Sequence, residues 1–153
     1  MNTTHVALAA LLAGSVLTGC TTGASDTPTP TMVTVRLQEW AILADPGTAP
    51  AGDVTFAVSN RGPKALHELV LVKTDFGPGA LPTTSEGRVD EDADGVEVIG
   101  EIEDVAVGAT DEATFALEPG TYLLICNISD KTSGKTHLHY ALGMRAAFTV
   151  TGS

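Results

Sequence analysis

Four side chains suited to soft-metal chemistry stand out in the sequence. Cys126 ends the apolar run Gly120-Thr-Tyr-Leu-Leu-Ile-Cys126, His139 and Met144 follow in His139-Tyr-Ala-Leu-Gly-Met144, and His67 heads the apolar run His67-Glu-Leu-Val-Leu-Val72. Thiolate and thioether suit Cu(I) and imidazole suits Cu(II), so a trigonal His₂Cys set with a weak axial Met takes both states with little rearrangement. A cysteine, a histidine and a methionine in that order between two strands match a mononuclear copper site of the electron-transfer kind. The second histidine must come from a separate strand, and His67 is the supplier the sequence offers. Taken singly, each residue has a plainer reading. A lone buried Cys is a small hydrophobe, and a His at a strand start is a satisfied polar group.

The chain has 153 residues, one domain's worth, and its 43% hydrophobic and 18% charged content excludes a wholly disordered chain. Eight basic against nineteen acidic residues give a net charge of −11. Nucleic acid is therefore excluded as a partner class, because phosphate binding needs a basic face. Such a chain is steered instead towards basic docking patches on a partner, at a rate that falls with salt.

Of the two cysteines, Cys20 closes the segment 6–19, which is apolar, rich in Ala and Leu, and too short to span a membrane. Its end, Leu17-Thr-Gly-Cys20, resembles a bacterial lipoprotein signal, which implies a signal peptide over 1–19, lipidation of Cys20 and a flexible Thr/Pro tether over 20–32. The start Met1-Asn-Thr-Thr-His5 has no Lys or Arg, which leaves a plain secretory signal or another start codon as alternatives. Either signal places the protein outside the cytoplasm, in the periplasm or at the envelope, with a lipid anchor in the first case. Cys126 is then a free thiol in an oxidising compartment, a liability unless a metal occupies it.

The elements that must position these residues read as strands. Val33, Val35 and Leu37 alternate with Thr34, Arg36 and Gln38 in a first strand expected from Val33 to Trp40, and Val54, Phe56 and Val58 alternate likewise within 53–59. The near-continuous apolar run 66–73 suits a central strand, 96–105 an edge strand, and 112–117, 121–126 and 144–151 complete the set. Pro46-Gly-Thr-Ala-Pro50 reads as turn chemistry, and 75–95, punctuated by Gly and Pro, as a long connection. An all-β Greek-key sandwich of about seven strands over 33–153 is expected.

The residues Glu39-Trp40, Gly52-Asp-Val-Thr-Phe56, Asn60, His67-Glu68, Gly120 to Asn127 and His139-Tyr-Ala-Leu-Gly-Met-Arg-Ala-Ala147 together resemble the cupredoxin family, in particular small bacterial plastocyanin- or sulfocyanin-like blue copper proteins. The resemblance implies one type 1 copper, with His67, Cys126 and His139 as equatorial ligands and Met144 as the weak axial one. It also implies an electron carrier rather than an enzyme, with redox proteins as partners and an apolar docking patch near Ala141, Leu142 and Gly143. Relatives place the histidine a few residues after the cysteine, often behind Pro-Gly. Here the ten residues Ser129 to Leu138 intervene, expected to bulge into solvent, and His137 stands as the alternative to His139. Asn127 and Glu68 are candidates for stiffening the site, while Trp40 and Tyr122 read as core residues.

Asp90-Glu-Asp-Ala-Asp-Gly95 followed by Glu101 matches a calcium-loop pattern, with Asp90, Asp92, Asp94 and Glu101 as candidate ligands. The flanking Pro82 and Gly87 and the strand-like 96–105 lack the helices of such a loop, so a solvated acidic turn is the competing reading. Two further functions compete with electron transfer: copper carriage or sequestration without redox turnover, and a metal-free structural sandwich.

Overall fold

A computed structural model describes residues 29–152, and the signal, Cys20 and most of the tether lie outside them. Eleven strands and one four-residue helix follow in the order β1 (Thr31–Gln38), β2 (Ala41–Asp45), β3 (Thr48–Pro50), β4 (Gly52–Asn60), β5 (His67–Lys73), β6 (Glu97–Val105), β7 (Thr110–Leu117), β8 (Gly120–Ile125), β9 (Ser129–Thr132), β10 (Lys135–Leu138), α1 (His139–Leu142) and β11 (Arg145–Thr151). One sheet has the order β2-β1-β4-β7 and the facing sheet β3-β11-β8-β5-β6, with β9 and β10 forming a separate hairpin. The architecture is a β-sandwich, richer in strands than the seven expected.

Alternation accounts for the first sheet. Val33, Val35 and Leu37 of β1 and Val54, Phe56 and Val58 of β4 are buried towards the second sheet, where they meet Leu69, Leu71, Tyr122, Leu124 and Phe148. Burial of each such side chain contributes roughly 1.5–3 kcal/mol. The Phe56 and Phe148 rings meet edge-on at 5.2 Å.

Two central strands break the alternation, for a physical reason. The other faces of β5 and β8, carrying Val70, Val72, Leu123 and Ile125, are covered by Leu81 and Val89 from the long connection and by Tyr140 from α1. The connection 74–96 thus roofs the outside of the sheet that holds the site. Leu81 N–H donates to the Tyr140 hydroxyl at 3.1 Å, tying that roof to α1.

Three expectations need correction. The first strand runs over Thr31–Gln38 and does not include Trp40. The stretch read as turn holds the short strand β3, which pairs in parallel with β11, and β2 precedes it along the edge of β1. The residues expected to bulge after Ile128 form the ordered hairpin β9-β10, with Lys135 opposite Thr132 and His137 opposite Asp130. Ser133 and Gly134 at its tip have φ of 53° and 76°, the left-handed pair that a two-residue hairpin turn requires.

Candidate metal centre

His67, Cys126 and His139 come together at one end of the sandwich. His67 opens β5 opposite Val105, Cys126 follows β8 directly, and His139 opens α1 straight after the hairpin. Among the described residues they form the one group of three or more His, Cys, Asp or Glu side chains whose ligand atoms lie within 4.8 Å of one another. His139 Nδ1 is 3.3 Å from Cys126 Sγ and 3.2 Å from His67 Nδ1, and the Sγ to His67 Nδ1 distance is 3.9 Å. All three residues are fully buried. Three donors at the corners of such a triangle suit a single ion, since bonds of about 2.0–2.3 Å from a shared centre give edges of about 3.5–4 Å.

Backbone bonds fix the frame. Cys126 N–H donates to Met144 O at 3.1 Å, His139 N–H to Ile128 O at 3.0 Å, and Met144 N–H to His139 O at 3.0 Å. Gly143 has a φ of 125°, and a Cβ there would stand 2.9 Å from the Trp40 carbonyl oxygen, so the short link between His139 and Met144 needs glycine twice over. The Met144 side chain is fully buried in the same core cluster as Cys126.

The electrostatics favour neutral donors with bare lone pairs. Burial pushes the Cys126 thiol up to about 12, against backbone N–H groups of Glu68 and Ile128 that oppose the shift. Burial, followed by the neighbouring His139, lowers His67 to about 4, with Glu39 pulling the other way. A cation beside the sulfur would oppose that burial effect and favour the thiolate.

Around the three donors lies a ring of polar and aromatic groups. His139 Nε2 donates to Asp130 Oδ2 at 3.0 Å, and His137 Nδ1 bonds the other carboxylate oxygen, Oδ1, also at 3.0 Å. These bonds hold Asp130 below the usual carboxylate range, His139 contributing most. His137 therefore lies outside the triangle, paired to the hairpin's own aspartate. On the opposite side His67 Nε2 is buried without a hydrogen-bond partner among the described residues, 4.0 Å from Glu39 Oε1. Glu39 Oε1 itself accepts from Lys64 N–H and Ala65 N–H. Trp40 covers the imidazoles, its ring centroid 4.9 Å from His139, 5.8 Å from His137 and 6.3 Å from His67.

Asn127 and Glu68 act beside the cysteine. Glu68 Oε1 accepts Asn127 N–H at 2.7 Å, and burial, first among several causes, raises the Glu68 carboxyl. The Asn127 side chain pairs with both backbone groups of Val89 and donates to Glu91 at 2.6 Å, clamping the roof segment to the cysteine end of β8. The acidic residues Asp90, Asp92, Asp94 and Glu101 do not converge. Asp90 Oδ1 accepts Asp92 N–H at 3.3 Å within a run of turns, while Glu101 lies in β6 opposite Val70.

Sequence reasoning assigned no role at the site to Asp130, Glu39 or Trp40. A hairpin signal was present for the first, because Ser133-Gly134 flanked by equal arms sets Asp130 opposite His137.

No family model and no curated protein matches the sequence. Solved structures do. Auracyanin B aligns at a TM-score of 0.56 with 25% identity over 81% of this chain and 91% of that one. Auracyanin A, described as a "blue" copper protein from the green thermophilic photosynthetic bacterium Chloroflexus aurantiacus, aligns at 0.53 with 25% identity over 80% of this chain and all (100%) of that one. A dithionite-reduced auracyanin from Roseiflexus castenholzii aligns at 0.51 with 22% identity over 81% and 99%. The chain has the cupredoxin fold, with the buried His67, Cys126 and His139 cluster set within it.

Proposed function

We propose that this protein carries single electrons through one type 1 copper held by His67 Nδ1, Cys126 Sγ and His139 Nδ1, with Met144 as the weak axial ligand. The observation that carries this reading is the convergence of two imidazole nitrogens and one sulfur, 3.2–3.9 Å apart and sealed from solvent. A soft and borderline donor set of this kind suits Cu(I) and Cu(II) alike, and the ion supplies the one-electron couple. The protein's own part is rigidity. Strands β5, β8 and β11 and the backbone bonds among Cys126, His139 and Met144 hold the donors in one arrangement, so little reorganises when the electron moves.

Complete burial of the three donors favours electron exchange over copper carriage, since handing the ion to a partner needs ligands that open. Reversible one-electron voltammetry of the copper-loaded protein tests this choice. A reversible couple is expected, whereas loss of copper on each reduction supports the carrier reading.

The protein is read as exported and anchored through Cys20, outside the described residues, on the strength of the Leu17-Thr-Gly-Cys20 motif. Mass spectrometry of the membrane fraction checks it: a diacylglyceryl Cys20 at the mature N-terminus is expected, and Cys20→Ala should release the protein. With a net charge of −11, docking to a basic face of a redox partner is expected. The exposed Ala141 and Leu142 beside His139 offer the apolar part of such a contact.

A further inference from the structure

The hairpin after Cys126 does more than bridge a gap. Its strands pair from Ser129 opposite Leu138 to Thr132 opposite Lys135, and His139 N–H continues the ladder by donating to Ile128 O at 3.0 Å. The base of the hairpin is therefore closed at the residue that enters the metal centre. Within it Asp130 stands across from His137, whose Nδ1 holds Oδ1 at 3.0 Å and so fixes the carboxylate's rotamer. The free oxygen, Oδ2, is left aimed at His139 Nε2, also at 3.0 Å. An imidazole whose Nδ1 faces a sulfur and a second imidazole must carry its proton on Nε2 to present a lone pair there. Asp130 is the acceptor for that proton. Among the described residues nothing equivalent holds the other histidine, since His67 Nε2 has no hydrogen-bond partner there.

We propose that Asp130 is a positioning residue of the metal centre: from the hairpin it fixes His139 with Nε2 protonated and Nδ1 bare, and its charge favours the oxidised over the reduced ion. The proposal rests on the copper reading above for its second half only. A carboxylate behind a ligating imidazole raises the basicity of the ligand, and removal of such a partner typically costs 10–100-fold in metal affinity. The loss falls on the more highly charged ion, because the carboxylate's Coulomb interaction with it is larger.

The test compares the full-length wild type with Asp130→Asn, Asp130→Glu and His137→Ala. In the metal-free wild type, nitrogen-15 NMR of the histidine rings is expected to show His139 as the Nε2–H tautomer. An Nδ1–H tautomer overturns the proposal without any variant, whether or not D130N folds. In the copper-loaded proteins, D130N should favour the reduced over the oxidised ion by about tenfold or more relative to wild type. Redox titration reads this as a potential about 59 mV higher for each tenfold. D130E, which restores the charge, should return the potential towards the wild-type value, and H137A should shift it less than D130N does. A D130N potential equal to the wild-type one overturns the proposal while leaving the copper reading standing. Absence of a copper–thiolate absorption band in the wild type refutes the copper reading instead, and the tautomer measurement still decides the positioning role.

Discussion

His67 and His139 face each other with their Nδ1 atoms 3.2 Å apart, yet the chain holds them in opposite ways. His67 stands at the head of a strand buried on both faces, between β6 and β8, and the loop before it is pinned by Asn60, whose side chain bonds Ala65 O, Val105 O and Gly62 N–H. Among the described residues no side chain hydrogen-bonds its outer nitrogen. His139 begins a four-residue helix after a hairpin of polar residues, and a carboxylate 3.0 Å away takes the place of a central strand. One histidine is set by the core of the fold and the other by a clip on its rim. Core positioning makes the site costly to disturb, whereas rim positioning lets the metal's surroundings change at little cost to folding.

The contrast breaks most visibly in stability. Leu71, in the middle of β5 and 1% exposed, should cost about 2–5 kcal/mol when changed to Ala, read by chemical denaturation. Replacing residues 129–138 by a short Gly-containing link should cost less, about 1–3 kcal/mol, because closing loops of these lengths differs little in entropy while buried His139 Nε2 loses its Asp130 partner. Equal losses from the two changes would erase the distinction.

A titration sharpens it on the His67 side. In the metal-free protein His67 has its folded pKa lowered to about 4 from the ordinary 6.5, chiefly by burial. Between those values the unfolded chain binds the extra proton, so stability rises with pH there. Its contribution is fully present above about 6.5 and is lost as pH falls towards 4, by on the order of 3 kcal/mol. Denaturation curves across that window should show the loss, and His67→Gln should flatten it.

Smaller effects mark the contacts around the two histidines. Asn127→Ala leaves the N–H and C=O of buried Val89 without their partners and should cost about 1–3 kcal/mol, detaching the 88–91 roof from the cysteine strand. Gly134→Ala places a side chain at a φ of 76° with open space around it, so only backbone strain is at issue. A cost of about 1 kcal/mol, seen as roughly fivefold faster amide exchange in the hairpin and none in β5, is expected.

The sequence was most legible where burial imposes a period. Alternation identified β1 and β4, and unbroken apolarity identified β5 as central, though not the Leu81, Val89 and Tyr140 layer that explains why both of its faces are apolar. The short strands β2 and β3 escaped notice because three to five edge residues, bounded by Pro46 and Pro50, carry too little period to register. The hairpin escaped for a different reason. Its arms, Ser-Asp-Lys-Thr and Lys-Thr-His-Leu, have no apolar face to announce a strand.

At the site, residue type was enough to gather His67, Cys126, His139 and Met144 as candidates, since few residue types offer soft donors. Spacing left His137 and His139 both open, and the Asp130 bond to each is what separates their places in the fold. Glu39 and Trp40 reach the histidines across the sandwich end, from a loop whose sequence carries no sign of that proximity.

Visible absorption and electron paramagnetic resonance of the copper-loaded, full-length protein test the central claim most directly. An intense thiolate-to-Cu(II) charge-transfer band with the narrow copper hyperfine splitting of a type 1 site is expected, abolished in Cys126→Ser. A copper-loaded wild type without that band, or a Cys126→Ser variant that keeps it, would contradict a type 1 copper held by Cys126.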